Sequence, residues 1–325
     1  MKAWVQDRYG SPDILELRDV DTPTVGDDQV LVRVRACAVN PYDWHLIRGV
    51  PVVARSMMRK GYDPRGGATP GADVAGVVEA VGSGVTRFKV GDEVYGEPHA
   101  GGLAEAVAIR EDSTALKPPR LSFEQAAGIP MAALTALQGL RDHGKLRAGQ
   151  RVLVNGAGGG IGTFAVQLAK VLGAAEVTGV CGPGKAELVR SLGADRVLDY
   201  MKEDFTRDKG RYDLVFDTVG NHGVLALRRA AATRGTVVLA GGGAGRIIGP
   251  IGHIARGALL NRFSRATIGT FVCRPTVADV DYVRGLVADG GVRSVVGRTF
   301  PFASAPEAIR FLEEGHATGK VIVTM

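Results

Sequence analysis

The sequence predicts an α/β protein built from two domains, a small β-barrel and a doubly wound parallel sheet. The length of 325 residues is the first support, since it corresponds to roughly two domains. The second support is a series of short strands, separated by glycines, that runs up to Pro118. The third is the alternation of strands and helices after Pro119, which is typical of a parallel sheet with helices on both faces.

The composition is that of an ordinary folded protein. Lysine and arginine number 40 and aspartate and glutamate 34, so the net charge is +6, and 45% of the residues are hydrophobic. These values exclude a disordered tail or a fibre, and a charge of +6 is too dilute to indicate nucleic-acid binding. The 46 glycines predict many tight turns or close backbone approaches.

The cysteines and the first residues of the chain indicate in which cellular compartment the protein is expected. Cys37, Cys181 and Cys273 are far apart and form no Cys-x-x-Cys pair, so neither a disulfide framework nor a multi-cysteine zinc site is predicted. The first residues lack an apolar signal core, and no apolar run reaches the ~18 residues that span a bilayer. We therefore expect a cytoplasmic protein without membrane contact.

The barrel strands are predicted from alternation. Residues 30–36 place Arg33 and Arg35 on one face of a strand and apolar side chains on the other, which is the period of a half-buried strand. Further strands are predicted at residues 74–81, 93–95 and 103–109, with glycines between them. This spacing favours a small β-barrel.

The second domain begins with a helix and continues as alternating elements. Ser122 followed three residues later by Gln125 is a helix-start pattern, and it predicts a long helix that reaches Leu140. Beyond it, strands are predicted at residues 151–155, 176–180, 213–219 and 236–240, and helices at 161–172, 185–192 and 224–232. The tail predicts a helix from Ala305 that is closed by Gly315, and a last strand at residues 321–323.

A glycine-rich loop joins the first of these strands to the helix after it. Glycines in such a loop allow a tight turn and let backbone N–H groups approach a pyrophosphate, which the helix dipole also attracts. Strand, loop and helix agree here, so the pattern predicts a dinucleotide site rather than a plain turn. Its expected contacts are Asn155, Gly156, Ala157, Gly158, Gly159, Gly160 and Ile161.

The end of the next strand favours NADPH over NADH. An NAD site carries Asp or Glu about 20 residues past the loop to hold the ribose 2′-hydroxyl. This chain has Cys181 and Gly182 there, followed by Lys185, so a 2′-phosphate meets no repelling carboxylate. The simpler interpretation of Lys185 is a solvated lysine in the first turn of a helix.

Several motifs together resemble the medium-chain dehydrogenase/reductase superfamily, in its zinc-free quinone oxidoreductase (zeta-crystallin-like) branch. The motifs lie at residues 38–43, 70–78, 88–95, 134–137, 155–170 and 192–200. The resemblance implies a GroES-like barrel over residues 1–124 and 273–325, interrupted by a Rossmann NADPH-binding domain over 125–272. It also implies an active site between the two domains and a homodimer, for which an exposed edge strand at residues 266–272 offers a pairing surface.

The resemblance also implies that no metal is bound. Zinc-dependent alcohol dehydrogenases of the superfamily have Cys where this chain has Asn40, and Gly-His-Glu where it has Gly71, Ala72 and Asp73. Alcohol oxidation relies on a Lewis acid, whereas hydride transfer to an electrophilic carbon does not. We therefore expect reduction of a quinone or an α,β-unsaturated ketone (enone), with NADPH as cofactor.

The resemblance assigns further site residues. Asn40 is expected at the nicotinamide end of the site, although a turn residue before Pro41 is the simpler interpretation. Tyr42 and His45 are candidate proton donors, and water is the alternative donor. Thr135 and Tyr200 are expected cofactor contacts from the resemblance, although spacing alone makes them a helix residue and a strand-end aromatic, and Lys320 is a further expected contact. Ala240, Gly241 and Gly242 are expected to contact the cofactor because they end a strand of the parallel sheet, where ligands bind.

An acid-free stretch between Asp217 and Asp279 contains eight arginines. A helical apolar pattern falls within it at residues 247–263. We expect this segment to cover the active site and steer anionic ligands, while a subunit contact and a lipid-binding surface are the alternatives. The arginines are Arg228, Arg229, Arg234, Arg246, Arg256, Arg262, Arg265 and Arg274.

Two other functions remain open from the sequence. A non-catalytic NADPH-binding protein of the crystallin or scaffold kind would have the same fold, and a carbonyl or alcohol oxidoreductase would use the same cofactor. The consumption of NADPH with a panel of quinones and enones separates these functions from the expected reductase.

Overall fold

A computed structural model describes residues 1–52, 55, 62–241 and 266–325. The chain forms two compact units, one of Met1–Leu134 with Arg274–Met325 and the other of Thr135–Cys273. The strands are β1 (Lys2–Val5), β2 (Glu16–Asp19), β3 (Gln29–Val39), β4 (Asp73–Val81), β5 (Glu93–Gly96), β6 (Ala106–Arg110), β7 (Thr114–Leu116), β8 (Arg151–Asn155), β9 (Glu176–Cys181), β10 (Arg196–Asp199), β11 (Tyr212–Asp217), β12 (Ala231–Leu239), β13 (Thr267–Thr270), β14 (Val296–Pro301) and β15 (Lys320–Thr324). The α-helices are Pro41–Arg48, Phe123–Ala127, Pro130–Gln138, Gly160–Val171, Ala186–Ser191, Val224–Ala230, Val277–Ala288 and Ala305–Glu313.

The first unit contains a seven-stranded, mostly antiparallel sheet and a separate two-stranded antiparallel sheet of β1 and β2. The order of the larger sheet is β14-β15-β3-β4-β5-β7, and β6 pairs with β3. The predicted alternation in β3 is confirmed, because Arg33 and Arg35 are exposed while Val32 and Val34 are buried. With eleven residues, β3 is long enough to pair with β4, β6 and β15.

The strand pairing along β3 brings several polar predicted site residues together at one end of this sheet. Ala38 pairs with Asp73 of β4 and with Ile322 of β15, close to the points where β4 and β15 begin. Asn40 follows β3 directly and caps the helix Pro41–Arg48. Residues from the beginning and the end of the chain thereby meet at Asn40.

The second unit is the predicted parallel sheet. All six strands are parallel in the order β10-β9-β8-β11-β12-β13, which is the doubly wound order with β13 at one edge. Its core includes Leu153, Val180, Val215 and Val237. The carboxyl ends of β8, β11 and β12 are in register, since Asp217 pairs with Asn155 on one side and with Leu239 on the other. A ligand site is expected at such an edge.

The long helix predicted from Ser122 to Leu140 is wrong. The predicted cap is present, with Gln125 N–H donating to the Ser122 hydroxyl, but the helix ends at Ala127 and a second one begins at Pro130. Proline has no N–H to donate and disfavours a helical residue before it, so the break falls there. The predicted strand at 103–109 also begins later, at Ala106.

The unit boundaries lie in different places from the expected domain boundaries. The helix Phe123–Ala127 contacts β3 and β4, so it belongs with the first unit, and the division falls at Leu134 instead of residue 124. Much of the acid-free segment, with Arg246, Arg256, Arg262 and Arg265, lies outside the described residues. Across the ranges described, no helix is long and apolar enough to cross a membrane.

Candidate functional site

The glycine-rich loop follows β8 and leads into the helix Gly160–Val171. Gly156 has a φ of +87°, a conformation that L side chains rarely adopt, so glycine is required there. The N–H groups of Gly156 and Ala157 donate to the carbonyl of Val180, and Gly159 N–H donates back to the carbonyl of Gly156. These three amides stabilise the loop itself and are not available to a ligand.

The first helical amides are available instead. Within the described part of the chain, the N–H groups of Gly160 and Ile161 have no backbone acceptor, as is usual for the first turn of a helix. The N–H groups at a helix start and the helix dipole together suit a phosphate anion. The structure thus separates the amides that stabilise the loop from the helix-start amides that could bind a phosphate.

Two glycines of the loop differ in whether the protein's own packing requires them. A Cβ on Gly162 would lie 2.1 Å from the carbonyl oxygen of Gly156, so the turn itself excludes a side chain there. A Cβ on Gly159 would meet nothing nearer than 3.4 Å, and its φ of −91° suits any residue. The protein's own packing does not explain Gly159, whereas a bound pyrophosphate in close contact with the backbone does. The loop therefore fits a dinucleotide.

Four predicted residues lie close together where β9 and β10 end, and we refer to them as the Lys185 corner: Cys181, Gly182, Lys185 and Tyr200. A Cβ on Gly182 would lie 2.9 Å from the hydroxyl of Tyr200, and Tyr200 N–H donates to the carbonyl of Cys181. The side chain of Lys185 passes over the loop, since a Cβ on Gly158 would lie 2.8 Å from its Cδ. Burial lowers the pKa of Lys185 and raises that of Cys181, so the thiol stays neutral. An ammonium beside the loop fits a 2′-phosphate.

A polar network joins the ends of β8 and β11. Asn155 Nδ2 donates to Asp217 Oδ1 at 2.8 Å and to Asn221 Oδ1 at 2.9 Å. Both amide hydrogens of Asn155 are therefore used within the protein. The other oxygen of Asp217, Oδ2, is buried and has no hydrogen-bond partner among the described residues. Neither Asp217 nor Asn221 was predicted from the sequence as a site residue, although Asp217 lies at a strand end beside β8.

Two further predicted contacts of this unit, Ala240 and Gly241, follow β12 directly. Ala240 N–H and Gly241 N–H both donate to the carbonyl of Asp217, and a Cβ on Gly241 would lie 2.2 Å from the carbonyl oxygen of Thr218. Thr135 is buried in the helix Pro130–Gln138. Gly242 lies outside the described residues.

The first unit contains a second cluster of predicted residues, built on the turn after β3. Asn40 N–H donates to Asp43 Oδ2 at 2.7 Å, and Gly71 N–H donates to Asp43 Oδ1 at 2.9 Å. Asp43 is fully buried, and burial raises its pKa to about 7. It holds the Asn40 turn against the loop before β4.

Asp73 and Lys320 complete this cluster. The Lys320 ammonium lies 3.3 Å from Asp73 Oδ2 and donates to Asn40 Oδ1 as well. Asn40 Nδ2 donates to Asp73 Oδ2 at 3.0 Å, and Met131 N–H donates to Asp73 Oδ1 at 3.0 Å. Burial raises the pKa of Asp73 to about 6, and Lys320 opposes that rise. All three side chains are buried, so the charges compensate each other away from water.

The two candidate proton donors differ in their chemistry. The His45 Nδ1 lies 3.1 Å from the carbonyl of Val50, and because a carbonyl only accepts, the proton sits on Nδ1. Burial lowers the pKa of His45, so Nε2 carries no proton at neutral pH. Tyr42 is 39% exposed, and burial raises the pKa of its hydroxyl, which therefore stays protonated.

Other buried polar groups lie near this cluster. The Tyr62 hydroxyl is buried without a hydrogen-bond partner among the residues described; this burial raises its pKa, and the Asp43 carboxyl adds to the rise. His99 contacts Glu97 at 2.9 Å. Over the described ranges, no three or more His, Cys, Asp or Glu side chains are grouped so that they could hold a metal ion.

Comparison with known proteins agrees with this architecture. Residues 26–139 match the alcohol dehydrogenase GroES-like domain, and residues 192–323 match the zinc-binding dehydrogenase family. A 2-methylene-furan-3-one reductase of Solanum lycopersicum is 37% identical over 99% of this chain and 79% of its own length. An NADPH-dependent alkenal/one oxidoreductase, chloroplastic, of Arabidopsis thaliana has the same identity and coverage. The quinone oxidoreductase of Coxiella burnetii superposes with a TM-score of 0.87, at 29% identity, over 100% of this chain and 99% of its own.

These similarities span the whole chain and include both units. The chain belongs to the medium-chain dehydrogenase/reductase superfamily, in its quinone oxidoreductase branch. The predicted fold class, a GroES-like domain with a Rossmann doubly wound sheet, is confirmed.

Proposed function

We propose that this protein is an NADPH-dependent, zinc-independent oxidoreductase that reduces enones or quinones. The observation that carries the proposal is the contact of Lys320 with Asn40 and Asp73. Those two positions stand where zinc-dependent relatives have Cys and the Glu of Gly-His-Glu. A lysine ammonium among them repels a metal cation, so Lewis-acid activation of an alcohol has no support in this cluster.

The glycine loop and the Lys185 corner support NADPH as the cofactor. The amides of Gly160 and Ile161 would hold the pyrophosphate, and Lys185 with the backbone at Gly182 would hold the 2′-phosphate. Thr135, Tyr200 and the backbone at Ala240 and Gly241 complete the proposed cofactor contacts. The names of the Solanum and Arabidopsis relatives, a furanone reductase and an NADPH-dependent alkenal/one oxidoreductase, support the same chemistry.

NADPH, when bound, supplies a hydride for the β-carbon of the enone. The residues of this chain then need to position the substrate, exclude water and allow a proton to reach the α-carbon. Tyr42 suits the proton transfer better than His45, because its hydroxyl stays protonated whereas Nε2 of His45 has no proton to give. Water is the other source of this proton.

We also propose a homodimer that pairs through β13. Among the described residues this strand is the edge of the second unit's sheet, and Val272 just beyond it is 81% exposed. An exposed edge strand with apolar neighbours is a ready pairing surface. For localisation we propose the cytoplasm, supported by three cysteines that are not in disulfides, and cell fractionation tests it.

The experiment is a turnover assay with the purified protein. The loss of reduced-nicotinamide absorbance is followed with enones, quinones, simple ketones and simple alcohols, and the metal content is measured after dialysis against a chelator. We expect turnover with enones or quinones, none with saturated ketones, and no dependence on zinc. NADPH binding without any turnover would favour a non-catalytic binding protein, and chelator-sensitive alcohol oxidation would favour an alcohol oxidoreductase.

A further inference from the structure

A histidine and a glutamate form an ion pair in the loop that follows β5. His99 Nδ1 lies 2.9 Å from Glu97 Oε1, and because a carboxylate oxygen only accepts, Nδ1 carries a proton. The Glu97 side chain is 5% exposed, and its other oxygen, Oε2, is buried without a hydrogen-bond partner among the described residues. The His99 side chain is 54% exposed, so a buried carboxylate is paired with an imidazole that can exchange protons with water.

The charges around this pair favour the protonated imidazole. The hydrogen bond with Glu97 raises the pKa of His99, whereas partial burial of the ring opposes that rise. The carboxyl groups of Asp73 and Asp112 add to the rise. Tyr42 is also close enough to be affected by the charge of Glu97, but its phenol is neutral. Among the described residues, the cation paired with Glu97 is therefore His99, and only while the imidazole holds two protons.

The loop holds His99 in an uncommon backbone conformation. Its φ is +65°, in the left-handed region that residues other than glycine seldom adopt unless surrounding contacts keep them there. After this turn, the N–H groups of Gly101 and Gly102 donate to carbonyls in the loop before β4, residues 69–71, at 2.8 and 2.9 Å. We refer to residues 97–102 as the histidine loop. The ion pair stabilises the turn from which the loop reaches residues 69–71.

This contact connects the histidine loop to the buried cluster after β3. Gly71 N–H donates to Asp43 Oδ1 at 2.9 Å, and Asp43 Oδ2 accepts from the N–H of Asn40 at 2.7 Å. A displacement of the histidine loop would therefore reach the Asn40 turn through a short series of hydrogen bonds.

We propose that the Glu97–His99 pair is a pH-sensitive latch that keeps the histidine loop on the loop before β4 while His99 is protonated and releases it when that proton is lost. The imidazolium gives one proton to water and Nδ1 keeps the other, so the hydrogen bond with Glu97 persists while the positive charge disappears. A buried carboxylate without a cation is destabilised. The Lys320 ammonium does not replace the lost charge, because it contacts Asp73 and Asn40.

The direction of the pH effect follows from the raised pKa of His99. The ordinary pKa of a histidine is 6.5, and the latched imidazole titrates above that value. The stabilisation by the latch is therefore fully present below pH 6.5 and is lost as pH rises through the pKa of the latched state. Asp43, whose pKa is about 7, titrates in the same unit, so the test uses variants of the pair itself.

Hydrogen–deuterium exchange of the purified full chain measures the latch, at several pH values on both sides of 6.5 and corrected for the intrinsic pH dependence of exchange. Relative to amides in β3, we expect the protection of the Gly101 and Gly102 amides to fall about fivefold or more as His99 loses its proton. The titration of the His99 ring, followed by NMR, should have its midpoint above 6.5 and coincide with the loss of protection.

Three variants locate the effect. Glu97→Gln removes the buried charge that needs a cation, so the loop should stay protected at every pH. His99→Asn keeps a residue that tolerates the left-handed conformation but carries no charge, so protection should be low at every pH. His316→Asn is the matched control, because His316 is an exposed histidine of the same unit, and it should keep the wild-type pH profile.

The wild-type profile decides the proposal even where a variant fails to fold. Protection of Gly101 and Gly102 that stays constant while the His99 ring titrates would overturn the latch. A wild-type pH profile in a Glu97→Gln or His99→Asn protein with wild-type melting temperature would overturn it as well. None of these measurements uses NADPH or a substrate, so a failed latch leaves the proposed reductase intact, and an inactive protein leaves the latch intact.

Discussion

Asp43 accepts a hydrogen bond from the backbone N–H of Asn40 at 2.7 Å, inside a unit where the Asp43 side chain is fully buried. The carboxyl thus keeps the turn after β3 in place while lying away from water. Burial raises its pKa from 3.8 to about 7, although the hydrogen bonds from the backbone N–H groups of Asn40 and Gly71 oppose this rise. At pH values between these two pKa values, the carboxyl is protonated in the folded protein and ionised in the unfolded chain.

Asp43→Asn should therefore change the pH dependence of stability. Between pH 4 and 7 the wild-type protein loses stability as pH rises through this group, because the folded state holds the proton that the unfolded state has lost. The variant cannot titrate there, so its free energy of unfolding relative to wild type should rise over this range, by at most about 4 kcal/mol.

Urea unfolding at several pH values measures this difference. Asp19→Asn is the control, because the hydrogen bond from Lys2 lowers the pKa of exposed Asp19, so this group titrates below the tested range and the relative stability of the variant should stay flat from pH 4 to 7. A relative stability of Asp43→Asn that stays flat from pH 4 to 7 would contradict the raised pKa of Asp43.

The glycine loop predicts that one substitution weakens NADPH binding without changing the melting temperature, whereas another lowers both. Gly159→Ala meets no atom of the protein closer than 3.4 Å, so it should leave the melting temperature within about 2 °C of wild type, while its methyl group weakens NADPH binding by about tenfold or more. Gly162→Ala pushes against the Gly156 carbonyl at 2.1 Å and should lower both stability and binding. Calorimetry with NADPH and thermal unfolding measure the pair. Equal NADPH affinity in Gly159→Ala and wild type would mean that no phosphate approaches this backbone.

Lys185 is predicted to determine the preference for NADPH over NADH. Lys185→Ala should raise the KM for NADPH by about tenfold and leave the KM for NADH within about twofold, because only NADPH carries the 2′-phosphate that we propose the ammonium binds. Lys170→Ala is the control, since Lys170 belongs to the same unit but pairs with Asp195 at 3.1 Å. Equal losses with both cofactors would show that Lys185 serves the fold instead of the phosphate.

The edge strand predicts the oligomeric state. A dimer through β13 should be broken by Val272→Asp, since the introduced charges would meet across the twofold axis without partners. Light scattering after size exclusion should then give the protomer mass of 34.1 kDa. Val90→Asp is the control because Val90 is 61% exposed in the other unit. A Val272→Asp protein that remains dimeric would place the interface elsewhere.

The sequence was most informative where local chemistry determines structure. The bounds of β8 follow from one apolar run and agree with the structure, and the loop after it was recognised from its glycines and the helix that follows. The break between Ala127 and Pro130 was missed because the apolar helical pattern continues through it, although the proline alone marks the break.

Long-range contacts explain most of what the sequence could not predict. Lys320 lies 280 residues from Asn40 along the chain, and only the pairing of β15 with β3 brings the two together. The same holds for Asn155 and Asp217, whose hydrogen bond depends on the register of β8 and β11. The tautomer of His45 depends on the Val50 carbonyl, which no spacing rule reveals.

The most direct test of the reductase follows the transferred hydrogen itself. The protein is incubated with an α,β-unsaturated ketone and NADPH deuterated at C4 of the nicotinamide, and the product is analysed by NMR. We predict deuterium on the β-carbon of a saturated ketone, with a solvent proton on the α-carbon and the carbonyl intact. Deuterium on the carbonyl carbon of an allylic alcohol, or no transfer from bound NADPH to any enone or quinone, would contradict the account.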